Sequence, residues 1–168
     1  MSLLRDELNE KDEVQNGKFL EFMIGEEAYG IEMRYVTEII SMQPVNTLPE
    51  APDYIKGVTN LRGRIIPVID MRQRLNKKET VYSDRTCIVV IENEKLSAGL
   101  IADKVSEVLK IEETDIAPPP ELSIPGASSF LSGIGKVNNE VKLLLNCEKL
   151  FNGSEANAIH DLTEGVEI

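Results

Sequence analysis

Tryptophan is absent from this 168-residue chain, histidine occurs once, cysteine twice, and aromatic residues make up 5% of it. Each scarcity removes a class of function. Lys and Arg number 18 against 29 Asp and Glu, for a formal net charge of −11. Clustered cations for phosphate contacts and aromatic platforms for bases are both missing, so nucleic acid is not an expected partner. The same charge argues against docking on anionic lipid. No run of 18 apolar residues is present, so no membrane span is expected. The opening segment MSLLRDELNEKDEVQNG is acidic and lacks an apolar stretch of signal-peptide length, which points to a cytoplasmic chain. His160 stands alone in a Gly-Ser-Glu-rich tail with no partner for general-base work, and no Cys/His cluster could hold zinc. Cys87 and Cys147 lie inside apolar runs and read as buried thiols that behave as small hydrophobes.

What is present is a core and a pattern. Apolar residues make up 42% of the chain, enough to bury one compact unit or two small ones. The middle reads as short alternating strands punctuated by turn residues. Residues 19–24 and 29–33 form a hairpin across Gly25-Glu26-Glu27. Residues 57–61 and 64–69 form another across Arg62-Gly63, and 71–75 is one helical turn. Residues 86–91 pair with 96–102, and 132–137 with 140–145 across Asn138-Asn139, closed by a helical turn at 148–151. Residues 44–48 read as a short edge strand because of Pro44. Val36, Ile39 and Ile40 share the spacing of a helical face, so 34–40 is expected to be a short helix, and 103–109 likewise. Residues 1–17 and 153–168 lack sustained periodicity and read as loose tails around a unit spanning 18–152.

The middle repeats itself. An offset of 69 takes Gly30 to Gly99, Val36 to Val105, Glu38 to Glu107 and Ile39 to Val108. An offset of 76 takes Gly57 to Gly133, Ile65 to Val141 and Asp70 to Asn146. The extra residues fall in the proline-rich stretch 118–129, where a surface loop belongs. Two pseudo-equivalent β subdomains, 18–78 and 84–152, follow. Neither would bury much alone, so one continuous apolar interface between them is expected, close to Val36 and Val105.

Few residues invite chemistry. Glu26-Glu27 and Glu112-Glu113 sit in turns, where carboxylates are solvated. Gly57 and Gly63 bracket five residues without the Gly-Lys-Ser/Thr ending of a phosphate loop. No catalytic residue, cofactor or metal is expected. Arg62 reads either as an ordinary arginine at a hairpin tip or as one half of a polar pair with Glu38 at a groove edge. Val36, Ile39, Val105 and Val108 read as core by spacing, or as groove lining by their matched positions in the repeat.

YIKGVTNLRGRIIPVIDMR, residues 54–72, resembles the hallmark segment of the CheW family of chemotaxis coupling proteins. Glu27-Ala-Tyr-Gly-Ile-Glu32, Val36-Thr-Glu-Ile-Ile40, Ala98–Val108 and 134–151 extend the likeness to nearly all of 18–153. The resemblance implies a mainly β fold: two SH3-like five-stranded β-barrels packed together, with a few short helices. It implies no enzymatic activity and a role as an adaptor between transmembrane chemoreceptors and the histidine kinase CheA. The partners would be the kinase's CheW-like regulatory domain and the helical-hairpin tip of the receptor, in arrays at the inner membrane. Val36, Glu38, Gly57, Arg62, Gly99 and Val108 match the family's receptor face, while the resemblance assigns no kinase-binding residue. An adaptor for a non-motility pathway is an alternative, and a small ligand-binding barrel a weaker one.

Overall fold

Residues 16–94, 97–119 and 130–150 are described by a computed structural model of the chain. Most of the two expected tails, His160 and most of the 118–129 loop lie outside them. Eleven strands dominate: β1 (Lys18–Ile24), β2 (Glu27–Glu32), β3 (Val36–Ser41), β4 (Ile55–Leu61), β5 (Arg64–Asp70), β6 (Cys87–Glu92), β7 (Ser97–Ala102), β8 (Lys104–Lys110), β9 (Ile116–Ala117), β10 (Leu131–Val137) and β11 (Glu140–Leu145). One helical turn, α1 (Met71–Arg74), follows β5. Residues 147–150 form a turn after β11.

Two stretches expected as helices are strands. Val36–Ser41 and Lys104–Lys110 carry β-branched runs that fit a pleated surface better than a helix. The three-residue spacing that mimicked a helix comes from a β-bulge. Pairing of β3 with β6 shifts between Val36 and Glu38, and pairing of β8 with β1 shifts at the matching place. An extra residue in a strand breaks the two-residue period and leaves apolar side chains three apart. The expected edge strand at 44–48 is reduced to a bridge between Asn46 and Val58.

The strands make two sheets, ordered β8-β1-β2-β11-β10-β9 and β3-β6-β7-β5-β4. These are the two SH3-like barrels, with the two-residue β9 appended to the first. Neither sheet is a contiguous half of the chain. Each takes its first hairpin from one repeat and its other strands from the other repeat, so the subdomains are interleaved rather than 18–78 beside 84–152. The parallel contacts β2–β11 and β5–β7 are the seams where the repeats join.

Interleaving explains the apolar runs of β1 and β6. Both strands are covered on two faces. Leu20, Phe22 and Ile24 of β1 and Val89 and Ile91 of β6 face one core between the sheets, with Val36 and Val105 packed against it. The continuous interface expected from the repeat is therefore present. Phe19, with Ile111 and Leu144, fills the first barrel. Ile66, Val68, Ile88, Val90 and Ile101 fill the second. The repeat offsets map one interior on the other: Phe19 on Ile88, Leu144 on Val68.

Cutting the chain between Thr80 and Val81 tests the interleaving. Neither fragment holds a complete sheet, so neither should show a cooperative thermal transition by circular dichroism, and mixing the two should restore one. A cooperative melt of 1–80 alone would show that the exchanged hairpins are not required.

Candidate functional site

The tip of the β4–β5 hairpin is strained at one residue. Leu61 and Arg64 form its closing pair. The two loop residues, Arg62 at φ 55° and Gly63 at φ 83°, are both left-handed. This is the turn whose twist matches paired strands, and it favours Asn-Gly or Asp-Gly. Glycine fits its place freely, and the Gly63 N–H donates to Asn60 Oδ1 at 2.9 Å. An arginine in the left-handed region costs about 1–2 kcal/mol. The matching turn of the repeat uses Asn138 and Asn139 at φ 52° and 65°, and asparagine tolerates that region far better.

The strained arginine is aimed at a partner. Arg62 Nη2 lies 2.9 Å from Glu38 Oε2, with the Arg62 side chain 78% exposed and that of Glu38 24%. The structure thus brings together the two polar residues singled out from the sequence, although Glu38 sits on strand β3 and not on a helix. The Thr37 hydroxyl donates to the Val90 carbonyl at 3.1 Å, fastening β3 beside the bulge. Across the same shallow depression of about 200 Å³, Arg64 Nη2 donates to Ser97 Oγ at 2.7 Å and lies 3.6 Å from Glu92 Oε1. Beneath this polar rim lie buried Ile66 and Val90. Arg64, Glu92 and Ser97 were not singled out from the sequence. The only early sign of them is that Arg64 flanks the turn.

Glu38, Val90, Gly99, Val68 and Gly57 stand in register across all five strands of this sheet. Three of the six candidate residues therefore share one row, and Arg62 reaches it through its side chain. Gly57 and Gly99 are buried within it. A methyl group at Gly99 would meet Ile88 Cγ2 at 2.6 Å, so this glycine serves close packing. Val36 is half-buried and packs against the core between the sheets. Val108 lies in the other sheet on β8, 50% exposed and opposite Leu20. It is not brought to the row. Its repeat counterpart, Ile39, is 45% exposed on β3.

The six-stranded sheet carries the equivalent row with different chemistry. Glu21, Gly30, Leu144 and Gly133 are in register. Glu21 and Lys142 occupy the places of Val90 and Ile66, both buried, with Lys142 Nζ 2.8 Å from Glu21 Oε2 and 2.9 Å from Glu140 Oε2. Hydrogen bonding to Glu21 raises the Lys142 ammonium above the ordinary lysine range against the opposing effect of burial, and Glu140 adds to the rise. Asn138 stands where Arg62 stands, and Glu140 where Arg64 stands. Two faces of common geometry thus differ in charge.

Cys147 is buried as expected, whereas Cys87 is half-buried and packs against the core between the sheets. Burial pushes Cys147 up to about 12 and raises Cys87 as well, which disfavours a reactive thiolate. Among the described residues no group of three or more His, Cys, Asp and Glu could hold a metal, and no helix is long and apolar enough to cross a membrane.

Residues 18–155 match the family model described as CheW-like domain. The chain is 36% identical over 138 residues to the chemotaxis protein CheW of Klebsiella aerogenes, covering 82% of this chain and 83% of the relative. It is 33% identical to CheW of Bacillus subtilis, with 89% and 90% covered. It is also 33% identical to the protein FrzA of Myxococcus xanthus, with 84% and 89% covered. A crystal structure of the scaffolding protein TtCheW from Thermoanaerobacter tengcongensis superposes with a TM-score of 0.75 at 34% identity, over 81% of this chain and 88% of that one.

Proposed function

The chain belongs to the CheW family of non-catalytic chemotaxis adaptors, and from that premise we propose that it couples chemoreceptors to the histidine kinase CheA, with the Arg62–Glu38 rim as part of the receptor face. The observation that carries this reading is the ion pair that a left-handed, exposed arginine makes with the half-buried Glu38. An exposed pair contributes under about 1 kcal/mol to stability, less than the backbone cost of placing arginine there, so the fold gains nothing from it. Strain of this kind persists where function needs it.

The receptor partner is the helical hairpin of its cytoplasmic tip, received as a helix in a groove. The kinase partner is its CheW-like regulatory domain, and the working location is the array beneath the inner membrane. Within the candidate set, Arg62, Glu38 and Val108 offer side chains to the receptor. Gly57, Gly99 and Val36 act by shaping the backbone and core behind them. The unit 18–152 is the coupling module.

The repeat supplies the test. Arg62→Asn copies the Asn138 turn, so it should keep or slightly raise the melting temperature. It should nevertheless weaken receptor-dependent kinase activation about fivefold or more, the size of a lost hot-spot side chain. Glu38→Gln should show a similar loss, and the double variant little further loss, because both changes remove one interaction. Full activation by both single variants in a reconstituted assay would remove the pair from the receptor face.

A further inference from the structure

The repeat is obeyed closely around the two turns that follow β5 and β11. Asp70 N–H donates to the Tyr54 carbonyl at 2.8 Å, and Asn146 N–H to the Phe130 carbonyl at 2.7 Å. Asp70 Oδ1 accepts from the Arg72 and Gln73 N–H groups, and Asn146 Oδ1 from those of Glu148 and Lys149. Tyr54 and Phe130 are repeat counterparts, and so are Arg74 and Leu150. At that last pair the likeness ends. Leu150 is fully buried in the core between the sheets. The half-buried Arg74 instead places its guanidinium carbon 4.0 Å from the Tyr54 ring centre and 4.2 Å from that of Phe130. Arg74 Nε and Nη2 both donate to the Leu150 carbonyl, at 3.1 and 2.9 Å.

Arg74 therefore lies between counterpart rings, one from each repeat, and binds the carbonyl of its own counterpart. Tyr54 and Arg74 flank strands of the five-stranded sheet, and Phe130 and Leu150 flank strands of the six-stranded one. The space between the two rings admits only one side chain, and there the repeat breaks. The chemistry suits a fixed joint. A planar guanidinium stacks on both rings and gives two bonds in one plane, which fixes rotation as well as distance.

We propose that Arg74 is a positioning residue that sets the angle between the two barrels. Its bearing on coupling rests on the receptor reading above; the angle itself does not. A small rotation of one barrel on the other changes the separation of Val108 and the Arg62–Glu38 rim, which lie on different sheets, and so their fit to one helical partner.

The test measures orientation in the full chain without any partner. Amide residual dipolar couplings from both sheets of the wild type should fit one alignment tensor. In Arg74→Met, which keeps an apolar stem between the rings, each sheet should still fit its own tensor, but the two should differ in direction. Affinity for a receptor-tip fragment, measured by calorimetry, should fall with the change in angle. Should Arg74→Met not fold, Arg74→Lys carries the same measurement, because it keeps the charge but not the stacked plane or the paired bonds. A folded variant whose sheets keep the wild-type relative orientation overturns the proposal. So does loss of fold in both variants, which would make Arg74 a core residue. A wild type that binds no receptor fragment would refute the coupling reading and leave the orientation result to decide the role of Arg74.

Discussion

Lys142→Ile should destabilise the chain by about 3–5 kcal/mol, while Glu21→Val combined with Lys142→Ile should come within about 1 kcal/mol of the wild type or exceed it. The single change strands the Glu21 carboxylate in a barrel wall where residue 21 is 7% exposed. A buried charge without a partner loses its hydration and regains nothing. The double change removes both charges and installs the pair that the other barrel already uses, Val90 and Ile66, 5% and 3% exposed at the matching places. The chain thus contains its own precedent for an apolar solution, and the volumes are ones this architecture packs. Chemical denaturation of the four proteins in the cycle checks the prediction. Equal losses in the single and double variants would mean that the barrels are less equivalent than their registers indicate. The pH dependence gives a second check. The Lys142 value is raised in the folded chain. Its contribution is therefore complete below the ordinary lysine range, about pH 10.4, and is lost as pH rises through the raised value. The double variant should lack that alkaline loss.

Such a pair can be seen in the sequence once the strand is known. Glu140, Lys142 and Leu144 alternate onto one face of β11, and a lysine there breaks the apolar period. The hairpin turns were legible for a similar reason, because Arg62-Gly63 and Asn138-Asn139 separate alternating runs. The ion pair of Arg62 with Glu38 was one of two readings of the turn, and the family resemblance was what placed both residues on one face. The bulges were not legible: an extra residue at Val36 imitates helical spacing, and only pairing with β6 shows which period holds. Nor was the exchange of hairpins, since β2 beside β11 and β7 beside β5 are contacts between distant segments that no local pattern encodes. Arg74 was hidden most completely. It sits in the basic stretch Met71-Arg72-Gln73-Arg74 and looks like a solvated helical turn, and only the approach of Phe130 and Leu150 shows what it holds.

Gly57→Ala should cost about 2–5 kcal/mol, the sum of a backbone conformation closed to other residues and a clash that cannot relax. Gly57 has φ 153° and sits at a bulge, where pairing of β4 with β5 shifts between Ile55 and Gly57. A methyl group built there meets the Asn46 carbonyl, with the carbonyl carbon at 2.7 Å and Val45 Cγ1 at 2.9 Å. Backbone cannot turn aside as a side chain can. The obstructing segment is also held in place, because Asn46 and Val58 exchange two 2.8 Å backbone bonds and Thr59 Oγ1 donates to the Pro44 carbonyl at 2.8 Å. At Gly63 a methyl group meets nothing within 4 Å, so Gly63→Ala isolates the cost of a left-handed backbone alone. It should cost only about 1–2 kcal/mol. The comparison decides how a coupling defect at Gly57 is to be read. A thermal melt that falls well below that of Gly63→Ala, with receptor binding lost in proportion to the unfolded fraction, places Gly57 behind the site. A normal melt with lost binding would return Gly57 to the contact surface and show that the row from Glu38 to Gly57 is read by the partner along its whole length.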